Sequence, residues 1–125
     1  MNGTLHDQTS IYLQIAQMLE NDILRGVYLE EEQVPSTNEL ARVYNINPAT
    51  AAKGINLLVA EGILYKKRGI GMFVARGACG ALRAKRQAAF YDSYVTEMVK
   101  EGRRLGITTE ELLKMVAKAA GEKEE

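Results

Sequence analysis

Two signals for the start of a helix stand close together in the middle of this 125-residue chain. The first is the capping box Ser36-Thr37-Asn38-Glu39, whose serine hydroxyl can accept the Glu39 N–H while the glutamate reaches back to Ser36. The second is Asn47-Pro48, an N-cap followed by proline at the first helical position. Only a short helix and a tight turn at 44–46 fit between them, which predicts a helix-turn-helix.

Apolar residues at helical spacing support this pair of helices and add one before it. The series at 11–23 predicts a first helix that ends at Gly26, and the helix from Pro48 is expected to end at Gly62. Residues 27–35 contain three consecutive glutamates and a proline at their end. They are therefore predicted to be a solvated connector.

Two β-prone runs follow the third helix, at 63–67 and 72–75. Their connection, Arg68-Gly69-Ile70-Gly71, contains two glycines and predicts a hairpin. Three helices and a hairpin make a winged helix-turn-helix, in which the helix from Pro48 enters the major groove of DNA with its positive N-terminal end foremost. The three cations at 66–68 suit the phosphate walls of a minor groove.

Residues 76–81 are small and helix-breaking, which predicts a hinge between two modules. The first module, residues 1–77, is the winged helix-turn-helix preceded by a loose N-terminal arm at 1–10. The second, residues 78–125, is predicted to be a short helical dimerisation region. The fold class is therefore mostly α with a small β-hairpin: a winged helix-turn-helix followed by a two-helix dimerisation tail.

The two tail helices carry an apolar stripe that so short a module cannot cover. The first is predicted at 82–105, and the second starts at the capping box Thr108-Thr109-Glu110-Glu111. Because a large exposed apolar stripe is a liability in a monomer, we expect a symmetric homodimer. The side chains expected at its interface are Leu82, Phe90, Tyr91, Tyr94, Val95, Met98, Leu112, Leu113 and Val116.

The charge of the chain is zero as a sum, with sixteen Lys and Arg against sixteen Asp and Glu. This balance excludes a uniformly basic nucleic-acid coat protein or a polybasic membrane binder. The segment from Lys53 to Arg76 nevertheless holds five cations and one acid, Glu61. The sequence therefore predicts a local basic patch on the third helix and the hairpin.

The scarcity of reactive residues argues against an enzyme. One cysteine, Cys79, and one histidine, His6, provide neither a disulfide, a metal cluster nor a catalytic pair, so we expect no catalytic residues, metal or other cofactor. No signal peptide or membrane-spanning run is visible, which predicts a cytoplasmic protein that does not bind membranes.

Four segments resemble the DNA-binding domain of GntR-family transcriptional regulators. They are VPSTNELA at 34–41, YNINPAT at 44–50, EGIL at 61–64 and RGIGMFV at 68–74. The short two-helix tail is similar to that of the YtrA-type subfamily, whose C-terminal helices mediate dimerisation. The resemblance implies a homodimeric bacterial repressor on a palindromic, double-stranded operator.

The positions and the resemblance together name the residues expected to meet DNA. They are Ser36, Thr37, Asn38, Asn47, Ala49, Thr50, Lys53, Lys66, Lys67, Arg68, Gly69 and Gly71. The family usually places arginines at three positions that here hold Asn38, Pro48 and Ala52, and proline at Pro48 is familiar in the YtrA-type group. The absence of arginine at Asn38 and Ala52 motivates an alternative, a winged-helix protein-interaction module with weakened or lost DNA binding. No residue pattern identifies a small-molecule effector.

Overall fold

The computed structural model describes residues 10–122, which divide into two compact units between Ala84 and Lys85. The first unit contains α1 (Ile11–Leu24), α2 (Thr37–Tyr44), α3 (Pro48–Ala60), β1 (Leu64–Lys67), β2 (Gly71–Val74) and the start of α4 (Ala78–Phe90). The second contains the rest of α4, a π-helical turn (Tyr91–Val95), α5 (Thr96–Arg104) and α6 (Thr109–Gly121). The predicted mostly helical fold with a winged helix-turn-helix is confirmed. The predicted arm, except for Ser10, lies outside the described residues.

The helix-turn-helix forms through the local signals that predicted it. Ser36 Oγ accepts the Glu39 N–H at 3.0 Å, and the Glu39 carboxylate accepts the Ser36 N–H at 2.9 Å. The Asn47 amide oxygen caps α3 by accepting the Ala49 N–H at 2.7 Å. Asn45 ends α2 in the left-handed region with φ of 52°. These contacts fix the short turn between α2 and α3.

The two capping glutamates predict how stability depends on pH. Hydrogen bonds from the Ser36 and Thr108 backbones hold the pKa of Glu39 and Glu111, respectively, below the ordinary 4.5. Because the folded-state pKa is the lower one, this stabilisation is present above pH 4.5 and is lost as pH falls through the folded-state values. Urea unfolding followed by circular dichroism should therefore show stability falling below about pH 4. The double variant Glu39→Gln/Glu111→Gln keeps the caps without titrating and should show a shallower fall; an unchanged slope would contradict the prediction.

The core of the first unit lies between α1, α3, the hairpin and the start of α4. Ile15, Leu19, Leu58 and Leu82 are fully buried in it. Leu82 therefore corrects two expectations. It is not a dimer-interface residue, and the expected hinge at 76–81 is wrong from Ala78 onward, where α4 begins. The physical reason is that burying the apolar Ala78 and Leu82 in this core stabilises the helix by more than Gly80 destabilises it.

The connector before α2 exposes Glu30, Glu31 and Glu32, as expected, and its backbone also pairs with β2. The Glu31 N–H donates to the Val74 carbonyl, the Val74 N–H to the Glu32 carbonyl, and the Val34 N–H to the Met72 carbonyl, at 2.8–2.9 Å. Gln33 forms a bridge with Phe73. Residues 31–34 therefore pair with β2 on the side opposite β1, so that β2 is the middle of three paired segments.

In the second unit, the predicted capping box at the start of α6 is confirmed. Thr108 Oγ1 accepts the Glu111 N–H at 3.1 Å, and the glutamate accepts the Thr108 N–H at 2.8 Å. Leu112 then packs on Gly102 of α5, where a Cβ atom would lie 3.1 Å from the leucine side chain. Leu112 is therefore buried within its own chain, which removes it from the expected interface residues.

Candidate nucleic-acid interface

A concavity of about 430 Å³ lies between the start of α2, the middle of α3 and the hairpin. It brings together five of the residues predicted to meet DNA: Ser36, Thr37, Asn38, Lys66 and Gly71. Ala52 and Asn56 of α3 line the same concavity, with Ile55, Val59 and Met72 as its apolar part. A groove walled by a helix start, a helix side and a lysine has polar groups suited to both the phosphates and the base edges of DNA.

Asn47, Ala49 and Thr50 were also predicted to meet DNA. They lie at the start of α3 and do not line the concavity. Asn47 and Ala49 are exposed, and Thr50 is half-buried. The amide oxygen of Asn47 is occupied by its cap, so its NH₂ group is the part left for a ligand. The first turn of α3 also carries the positive end of the helix dipole, which favours a phosphate or an electronegative base edge.

Lys53 lies on a different side of α3 from Ala52. Its Nζ is 4.1 Å from the centre of the Tyr12 ring of α1, a distance at which the ammonium and the ring attract each other. Lys53 was predicted to meet DNA, but it does not line the concavity. The structure places its charge beside α1.

The three cations of the hairpin are divided between its two faces and its tip. Lys66 lines the concavity, whereas Lys67 lies over the Phe73 ring at 4.3 Å, because neighbouring residues of a strand point to opposite faces. Arg68 lies in the tip, followed by Gly69 with φ of 79°. The connection has three residues and not the four expected, since Gly71 already pairs with Lys67.

Two residues that hold the hairpin in place were missed by the sequence analysis. The Gln33 side-chain NH₂ donates to the Ile70 carbonyl at 3.0 Å, and the Tyr65 hydroxyl donates to the Glu31 carboxylate at 2.7 Å. That bond to Glu31 is the main reason why the pKa of Tyr65 is raised. No local periodicity reports contacts between residues so far apart in sequence, so no sequence signal could have found them.

No catalytic or metal chemistry is evident in the described part of the chain. Across residues 10–122 there is no group of three or more His, Cys, Asp and Glu side chains that could hold a metal ion. Cys79 is half-buried, with an Arg83 guanidinium nitrogen 3.6 Å from its sulfur. None of the helices in these residues is long and apolar enough to cross a membrane.

Comparison with protein families matches residues 11–74 to the bacterial regulatory proteins of the gntR family. Among curated relatives, the HTH-type transcriptional repressor YtrA of Bacillus subtilis is 36% identical over 70 residues, covering 56% of this chain and 54% of YtrA. The chain spans only 26–38% of the length of the first curated relatives that it matches.

Two solved structures extend the similarity. A GntR-family transcriptional regulator from Bacteroides thetaiotaomicron is 36% identical, with a TM-score of 0.67 over 88% of this chain and 96% of that chain. The DNA-binding domain of AraR, crystallised with operator ORR3, is 31% identical, with a TM-score of 0.51 over 60% of this chain and 93% of that domain.

Proposed function

Because the chain belongs to the GntR family of bacterial regulatory proteins, we propose that it is a homodimeric repressor that binds a palindromic operator. The family consists of DNA-binding transcriptional regulators, so the chain is a regulator and not an enzyme. The observation that carries the proposal is the concavity, which is lined by Lys66, by the start of α2 and by one side of α3. Its place of action would be the bacterial cytoplasm, where the chromosome lies.

Repression and the YtrA-type subfamily are proposed from the relatives. YtrA is a repressor by name, and the similarity to it covers about half of each chain. The similarity to the Bacteroides regulator covers 88% of this chain, so it extends beyond residues 1–77. We therefore assign DNA binding to the winged domain of the first unit and dimerisation to the helices of the second unit, from Lys85 onward.

The homodimer is supported by apolar side chains that the second unit leaves exposed. Phe90, Tyr91 and Tyr94 are 55%, 64% and 63% exposed, and Leu113 is 64% exposed. Exposed apolar residues at this density are typical of an interface. With Leu82 and Leu112 removed, the residues proposed for the interface are Phe90, Tyr91, Tyr94, Val95, Met98, Leu113 and Val116.

The test is DNA binding by the full chain, with its mass measured in parallel by light scattering. The wild-type chain first selects duplexes from a randomised library, and fluorescence anisotropy then compares a selected duplex with an unselected one. We expect a dimer that prefers the selected duplex and loses affinity steeply as salt rises. Equal affinity for both duplexes at physiological salt would reject the repressor and favour the protein-interaction module.

Gly71 provides a test of the hairpin's part in this function. Its φ of 146° is strained for any residue with a Cβ atom, and that atom would also push aside the Gln33 side-chain nitrogen, which donates to the Ile70 carbonyl of the tip. Gly71→Ala should therefore displace the tip and weaken binding to the selected duplex about tenfold, with little change in helix content.

Gly77→Ala is the matched control for the Gly71 variant. Gly77 has a positive φ of 83°, but its added Cβ atom would meet nothing within 4 Å. It should lower stability through backbone strain and leave DNA affinity unchanged. Wild-type affinity in the Gly71 variant would show that the position of the tip does not matter.

A further inference from the structure

The DNA-facing side of α3 has an unusual chemistry for a helix that reads bases. Lys53 is the one charged side chain of α3, and it lies over the Tyr12 ring of α1 and does not line the concavity. The side chains that remain are methyls, a hydroxyl and amides. Guanine is most often read by a bidentate arginine or by lysine, so this helix lacks the usual guanine reader.

Asn56 is the polar side chain of α3 that faces the concavity. It is exposed, lies one helical turn after Ala52, and lines the concavity opposite Lys66. Within residues 10–122 its amide makes no hydrogen bond, so both its donor and its acceptor are available to a ligand. Asn38 of α2 lines the same concavity with a second amide.

We propose that Asn56 is a specificity-determining residue and that α3 selects A·T base pairs in the operator. An asparagine amide donates to adenine N7 and accepts from adenine N6 in one bidentate contact, a pattern that no other base offers in the major groove. The methyl groups of Ala49, Thr50 and Ala52 match the thymine methyl. This inference rests on the proposed function.

The spacing along the helix fits this assignment. Four residues of α-helix rise about 6 Å, and successive base pairs rise about 3.4 Å. Ala52 and Asn56 would therefore meet bases about two pairs apart in one half-site. The competing role for Asn56 is a contact with phosphate. Phosphates carry no sequence information, so removing such a contact would weaken binding to every duplex equally.

The experiment repeats the duplex selection with the wild-type chain and with Asn56→Ala, Ala52→Arg and Asn21→Ala. The wild type should enrich A·T pairs at the inner positions of each half-site. Asn56→Ala should lose the preference at one position per half-site and bind the wild-type duplex about tenfold more weakly, with unselected DNA unaffected. Ala52→Arg should shift a neighbouring position toward guanine, and Asn21→Ala, an exposed asparagine of α1, should change nothing.

Four results would count against the inference. Enrichment of G·C pairs at the position that Asn56→Ala relaxes would overturn it, and so would an unchanged preference in that variant. Equal weakening of selected and unselected duplexes would identify a phosphate contact instead. Failure of the wild type to enrich any sequence would overturn the proposed function, and this inference with it, whereas the other results leave the proposed function intact.

Discussion

Gly54→Ala should lower the free energy of unfolding by about 3 kcal/mol, although alanine is the better helix former. Gly54 lies on the buried side of α3 against α1. A Cβ atom there would be 2.7 Å from the Tyr12 carbonyl oxygen and 3.1–3.2 Å from the Ile15 side chain. Because the nearest atom belongs to the backbone of α1, no rotamer change relieves the contact and the two helices must separate.

Urea unfolding measures this change, and Gly80→Ala is its matched control. Gly80 is also a helical glycine, but a Cβ atom there would meet nothing within 4 Å. The same substitution should therefore stabilise the chain by up to about 1 kcal/mol at Gly80. A Gly54 variant at least as stable as the wild type would show that α1 and α3 do not pack as closely as described.

The contrast between these two glycines explains what could be predicted about the fold from the sequence. Capping boxes, N-caps and turns depend on residues within four positions of one another. Ser36, Asn47 and Thr108 therefore predicted where helices start. Gly54 and Gly80 look alike in sequence, because the difference between them is the presence of α1 beside one of them. The burial of Leu82 was missed for the same reason: its partners come from distant parts of the chain.

The sequence predicted many of the residues of the candidate site but not how their side chains are arranged. Strand alternation could have indicated that Lys66 and Lys67 point to opposite faces, since they are neighbours in a strand. The partner of Lys53 is Tyr12, which belongs to another helix, and no pattern around Lys53 reports it. Asn56 was overlooked because an exposed asparagine in a helix is not by itself a sign of a binding site. Its place in the concavity depends on the hairpin, which the sequence around Asn56 does not report.

Phe90→Glu/Tyr94→Glu should convert the proposed dimer into a monomer and weaken binding to the selected duplex about 100-fold or more. The centres of the two rings lie 5.3 Å apart, and both residues belong to the proposed interface. Two carboxylates there would have to be desolvated against a second copy. The fall in DNA affinity follows because two linked winged domains bind two half-sites with avidity, which a monomer loses.

Light scattering and anisotropy on the same samples measure both effects. Both rings are more than half exposed, so the double variant should keep the helix content and unfolding midpoint of a folded chain. Leu29→Glu is the control, since Leu29 is 58% exposed and is not one of the proposed interface residues. This variant should remain dimeric with wild-type affinity. A double variant that stayed dimeric would place the interface elsewhere, and a monomer with undiminished affinity would show that dimerisation does not contribute to binding.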